Sequence, residues 1–105
     1  MRFQPLERLI NLYDGYAKTF KIDSLHLLLR QDGGQVLLIE AHCPHRGHSL
    51  ASATLSGGVL ECPLHAYQFS IASGDVIRCA EEPCRALKVY ELIYEGTELG
   101  LLLED

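Results

Sequence analysis

Cys43-Pro44-His45-Arg46-Gly47-His48 and, after sixteen intervening residues counted from His45, Cys62-Pro63-Leu64-His65 are the stretch around which the rest of the chain is organised. Thiols and imidazoles bind metal only when deprotonated, and two of each make a donor set suited to an iron–sulfur cluster or to zinc. In the first half-motif Cys and His are separated by one residue, in the second by two. Neither spacing is helical, because side chains sharing a helix face stand three or four positions apart, so both pairs belong on loops. Gly47 and Ala66 follow the two halves with little or no side chain. Pro44 and Pro63 stiffen the loops, so that backbone amides can be aimed at negatively charged sulfur.

Outward from this motif the chain reads as short strands. Gln35 to Ala41 delivers the backbone into Cys43, and its partner Leu25 to Gln31 precedes it across Asp32-Gly33-Gly34, a strong hairpin signal because Gly supplies the positive φ of a tight turn. Further upstream Ala17 to Ile22 alternates loosely, and Leu6 to Leu12 reads as a first strand, with a short helix as the alternative. Between the half-motifs, Leu50 to Leu55 is a small-residue connector, Ser56-Gly57-Gly58 a turn, and Val59-Leu60-Glu61 a strand feeding Cys62. After His65 come a strand at Tyr67 to Ile71, a turn at Ala72 to Asp75, a return at Val76-Ile77 and a loop, Arg78 to Arg85, containing Pro83. Leu87 to Tyr94 alternates, and Gly96-Thr97 turns into Leu99 to Leu103.

Many short strands without a long amphipathic helix predict an all-β fold, an antiparallel sandwich or small barrel. The ligand loops are expected to rise from a small sheet inserted between strands of a larger one. With 105 residues, 48% of them hydrophobic, one domain over residues 1–105 is expected, with a metal-binding subdomain of about residues 42–83.

Composition removes several classes of function. The net charge is −5 and the basic residues are scattered, which argues against nucleic acid and for a basic partner surface. No apolar run reaches signal-peptide or membrane-span length, so a cytoplasmic protein is expected, with no membrane partner. Four cysteines, two of them ligand candidates, do not make a secreted disulfide scaffold, and Cys79 and Cys84 read as unpaired thiols. His26 and His42 read as ordinary strand residues and His48 as a solvated loop residue. Glu81 and Glu82 form either an acidic docking edge or a solvated loop, and Arg46 serves either docking or a local ion pair.

The spacing Cys43-x-His45, sixteen residues, Cys62-x-x-His65, with Pro44, Arg46, Gly47, Leu50, Pro63 and Phe69 around it, resembles the signature of the Rieske [2Fe–2S] proteins. The resemblance implies one [2Fe–2S] cluster, with Cys43 and Cys62 on the inner iron and His45 and His65 on the outer, solvent-facing iron. It also implies an inserted cluster-binding sheet and a third loop closing over the cluster, for which Pro83 is the candidate. Two ferric ions, two sulfides and two thiolates sum formally to about zero, against about minus two for an all-thiolate cluster, which eases electron uptake.

Respiratory-chain members of the family add a disulfide at the positions held here by His48 and Leu64, and place Ser and Tyr hydroxyls where this chain has Tyr67 and Phe69. Fewer donors to sulfur predict a potential at the low end of the range of roughly −150 to +300 mV. The soluble ferredoxin branch fits these departures. The expectation is a one-electron carrier between a flavin-dependent reductase and a terminal oxygenase, with no small-molecule substrate, since Rieske oxygenases need a long second domain. The alternatives are a small Rieske subunit of a larger reductase, such as assimilatory nitrite reductase, and a zinc-stabilised binding module.

Overall fold

A computed structural model of the chain describes residues 2–44, 47–63, 66–79 and 84–103. Eleven strands follow in order: β1 (Arg2–Arg8), β2 (Tyr16–Ile22), β3 (Leu25–Asp32), β4 (Gln35–Glu40), β5 (Thr54–Ser56), β6 (Val59–Glu61), β7 (Gln68–Ser70), β8 (Val76–Arg78), β9 (Val89–Tyr90), β10 (Ile93–Glu95) and β11 (Glu98–Leu103). A single 3₁₀ turn, Leu9–Asn11, interrupts the pattern among the described residues. They contain no helix long and apolar enough to cross a membrane.

The strands form three antiparallel sheets, in the orders β1-β11-β10, β2-β3-β4-β9 and β5-β6-β7-β8. The third sheet is inserted in the chain between β4 and β9, which are neighbours in the second. This is the all-β architecture with an inserted small sheet that the strand pattern predicts.

Two apolar clusters explain why β3 is Leu-rich instead of alternating. Tyr16, Leu27, Leu29 and Leu38 pack with Leu99, Leu101 and Leu103, joining the first sheet to one face of the second. Leu28, Leu37 and Ile39 pack with Leu60, Phe69 and both motif cysteines, joining the opposite face to the inserted sheet. Because successive strand residues point to opposite faces, β3 and β4 are covered on both sides and need apolar residues at nearly every position.

Two sequence expectations need correction at boundaries. The first strand spans Arg2–Arg8, not Leu6 to Leu12, and pairs with β11, with a register shift between Pro5 and Glu7. The chain turns at Leu9, whose amide donates to Thr97 O at 2.9 Å, so Leu9 and Ile10 face outward in the 3₁₀ turn instead of continuing the ladder. Leu87 to Tyr94 is also not one strand: Val89–Tyr90 pairs with β4 and Ile93–Glu95 with β11. The short Glu91-Leu92 link carries the chain from one sheet to another.

Candidate metal centre

Cys43 stands just beyond β4, at the base of a closed loop. Ala41 accepts from the amide of Leu50 at 2.9 Å, His42 bridges Ser49, and the Cys43 amide donates to His48 O at 2.7 Å. Gly47 closes the turn: its amide donates to Cys43 O at 2.8 Å with φ at +71°. Its ideal Cβ would meet nothing within 4 Å, so the left-handed backbone, not crowding, calls for glycine.

Cys62 repeats this arrangement at the end of β6. Its amide donates to Tyr67 O at 2.8 Å, and Ala66, the fourth residue after it, is left-handed at φ +55°. The two half-motifs therefore share one frame, with a cysteine at the base, a left-handed residue four positions on, and closure onto the carbonyl of the fifth. Inside that frame the sequence puts His45 at the second position and His65 at the third. His45 and His65 lie outside the described residues, as do Arg46, Leu64, Glu81, Glu82 and Pro83.

Cys43 and Cys62 are 3% and 1% exposed and enter the same apolar cluster, together with Tyr67 and Phe69. A pair of thiolates in such surroundings is costly unless each is bound to a cation. Soft, dry and paired, the two sulfurs fit the thiolate half of an iron–sulfur or zinc donor set. Among the described residues no three His, Cys, Asp or Glu side chains gather into a separate metal site.

Sequence reading missed three residues that fasten this region. Arg30, on the same face of β3 as Leu28, is buried, and its Nη1 donates to Leu50 O at 3.3 Å and Ala53 O at 2.5 Å. Its Nη2 pairs with Asp32 Oδ2 at 2.8 Å. The signal was a lone charge at a core-facing position of an apolar strand. Glu40 and Arg85 form a two-pronged ion pair at 2.6 and 2.7 Å, which raises the Arg85 guanidinium above its ordinary value.

The histidines and spare thiols sit mostly as expected. His26 and His42 are exposed with their rings edge-on, centroids 5.8 Å apart, and the exposed His48 contributes its carbonyl to loop closure. Cys79 is an exposed free thiol. Cys84 is free and partly covered, and burial pushes its thiol up from the ordinary value.

The family model of the Rieske [2Fe–2S] domain matches residues 4–91, which takes in both cysteine loops, the second and third sheets and most of β1. The chain belongs to the Rieske [2Fe–2S] domain family. Its centre is accordingly a [2Fe–2S] cluster, which supplies one-electron uptake and release when bound.

Relatives of two kinds, matched over most or over a small part of their own length, are similar to it. The ferredoxin component of the alkene monooxygenase system of Xanthobacter autotrophicus is 34% identical over 87 residues, covering 82% of this chain and 69% of the relative. Human apoptosis-inducing factor 3 is 32% identical over 66 residues, covering 63% of this chain but only 11% of its own length. In fold, the ferredoxin of carbazole 1,9a-dioxygenase from Nocardioides aromaticivorans superposes with a TM-score of 0.79 at 23% identity, covering 99% of this chain and 100% of that one.

Proposed function

We propose that this chain is a one-electron carrier that takes electrons from a flavin-dependent reductase and delivers them to a terminal oxygenase in the cytoplasm. In this reading Cys43 and Cys62 hold the inner iron, His45 and His65 hold the outer iron, and about residues 42–83 form the cluster-binding subdomain of a single domain over 1–105. The observation that supports it most is the repeated loop frame, which presents two buried cysteines to one apolar cluster. The ferredoxin component from Xanthobacter, similar over most of both chains, belongs to a monooxygenase system. A carrier needs no substrate pocket, and Tyr67 and Phe69 fill the space beside the cysteines.

The residues have separate tasks. The cysteines anchor the cluster in a dry pocket, where there is little water to reorganise when an electron arrives. The histidines provide the exit for the electron. Absorption and electron paramagnetic resonance before and after dithionite test the centre, and turnover of a reconstituted reductase–carrier–oxygenase chain tests the role. A protein that is colourless, or that reduces normally but supports no oxygenase turnover with any cognate reductase, would sink this reading.

A second reading has its own support. The match to a small portion of a long chain, human apoptosis-inducing factor 3, favours a domain of this kind working as a fixed module of a larger enzyme. Size-exclusion of the native protein separates the two, because a carrier elutes alone and a module co-elutes with its enzyme.

A further inference from the structure

We propose that Glu40 and Arg85 act as a positioning clamp, seating the Cys84–Lys88 segment against the cysteine side of the centre and thereby keeping its reduction potential low. The proposal rests on the reading of Cys43 and Cys62 as cluster ligands.

Glu40 ends β4, three positions before Cys43. Its carboxylate accepts from Arg85 Nη1 at 2.7 Å, Arg85 Nη2 at 2.6 Å and the Lys88 amide at 2.7 Å, while its own amide donates to Lys88 O at 3.0 Å. The carboxylate is only 13% exposed, against 52% for the guanidinium. By contrast, the Arg2–Asp23 pair spans 3.9 Å with both partners largely in water, a kind of contact that contributes little. A two-pronged pair with an extra amide donor fixes direction as well as distance.

The clamped segment closes one wall of the centre. Cys84 packs on the cluster that contains Cys43 and Cys62, and Leu87, 2% exposed, lies inside it. On the other edge the Leu87 amide donates to Gly74 O at 2.7 Å, and a Cβ on Gly74 would lie 1.9 Å from Leu87 O. The segment is thus tied to the turn before β8 on one side and to β4 on the other, where charged side chains reinforce the backbone bond from Glu40 to Lys88 O.

Seating and charge make different predictions. The centre gains negative charge on reduction, and water stabilises that charge better than apolar side chains do, so an unseated segment raises the potential. The direct field of the pair acts with opposite signs: losing the Glu40 anion raises the potential, and losing the Arg85 cation lowers it. Arg85→Lys keeps the charge and loses the fork.

The test is spectroelectrochemical titration of the cluster-loaded full chain and its Glu40→Gln, Arg85→Gln and Arg85→Lys variants, with Arg2→Gln as control. The clamp predicts that all three variants raise the reduced-to-oxidised ratio at fixed poise by about tenfold, or 59 mV for a one-electron couple, with the control unmoved. Opposite signs for Glu40→Gln and Arg85→Gln, or an Arg85→Lys variant identical to the parent, overturn it. If Glu40→Gln fails to retain its cluster, the two Arg85 variants decide. A parent protein without a Rieske signal overturns the ligand reading itself, and the clamp with it.

Discussion

In the loop of residues 43–48 the Cys43 amide closes onto His48 at 2.7 Å, and in the loop of residues 62–67 the Cys62 amide closes onto Tyr67 at 2.8 Å. The frames match, but their supports do not. The second loop stands on the β6–β7 ladder, where Glu61 pairs with Gln68 and Leu60 with Phe69, and Gln68 Nε2 donates to Glu61 Oε1 at 2.8 Å. The first stands on one isolated bridge, His42 to Ser49, and its return segment is held from outside by the buried Arg30. One cysteine loop is stabilised by its own hairpin and the other by a distant strand. The same local geometry can therefore be specified locally or through tertiary contacts, with different sensitivities to mutation.

The largest effect expected is shared by the two loops. Cys43→Ala and Cys62→Ala should each abolish iron incorporation, measured as iron per chain and loss of the Rieske paramagnetic signal, because the frames place equivalent sulfurs in one pocket. A variant that keeps both iron and signal removes that cysteine from the ligand set. Next comes Arg30→Met, which deletes charged hydrogen bonds to two carbonyls and should lower unfolding free energy by about 2 to 4 kcal/mol in urea titration. Here the loops should part: amide exchange should quicken over residues 49–53 and stay slow over β6 and β7. Equal loss of protection in both would break the distinction drawn between their supports.

What the sequence made legible follows the same division. Local features were readable: the two cysteine loops, the small residues at 47 and 66, the Gly-Gly hairpins joining β3 to β4 and β5 to β6, and the strand feeding each cysteine. Each depends on neighbours a few residues away, where backbone sterics and the two-residue period decide the outcome. The unreadable parts are non-local. Nothing near Arg30 announces that its partners are the carbonyls of Leu50 and Ala53, and Arg85 meets Glu40 across 45 residues. The change of sheet at Glu91-Leu92 was hidden because an alternating pattern looks the same whether one strand continues or two strands share it.

The left-handed residues offer a finer comparison. Gly47 sits at φ +71° and Ala66 at φ +55°, so alanine carries a left-handed cost of about 1 to 2 kcal/mol that glycine avoids. Gly47→Ala should therefore destabilise by about 1 kcal/mol, while Ala66→Gly should be close to neutral or slightly stabilising, because relief of strain is offset by greater freedom in the unfolded chain. Thermal unfolding of the two variants in parallel checks the sign. Destabilisation by Ala66→Gly as large as that by Gly47→Ala would mean that the methyl of Ala66 contributes packing that outweighs its strain.

The smallest effect lies away from both loops and gives the comparison an internal control. Glu7 accepts from Asn11 Nδ2 at 2.8 Å, Tyr16 Oη at 2.7 Å and the Arg8 amide at 2.9 Å. These contacts, with Asn11 first and Tyr16 second, lower its carboxyl from 4.5 to about 2. A carboxylate depressed on folding stabilises the protein fully above its unfolded value and loses that contribution as the pH falls toward the folded one. Stability should accordingly decline between about pH 4.5 and pH 2, and Glu7→Gln should flatten that part of the acid limb. The group is partly solvated, so the change should be modest, and at neutral pH the variant should keep the spectrum and potential of the parent. An altered cluster signal in Glu7→Gln would couple the β1 edge to the centre and would end its use as a control.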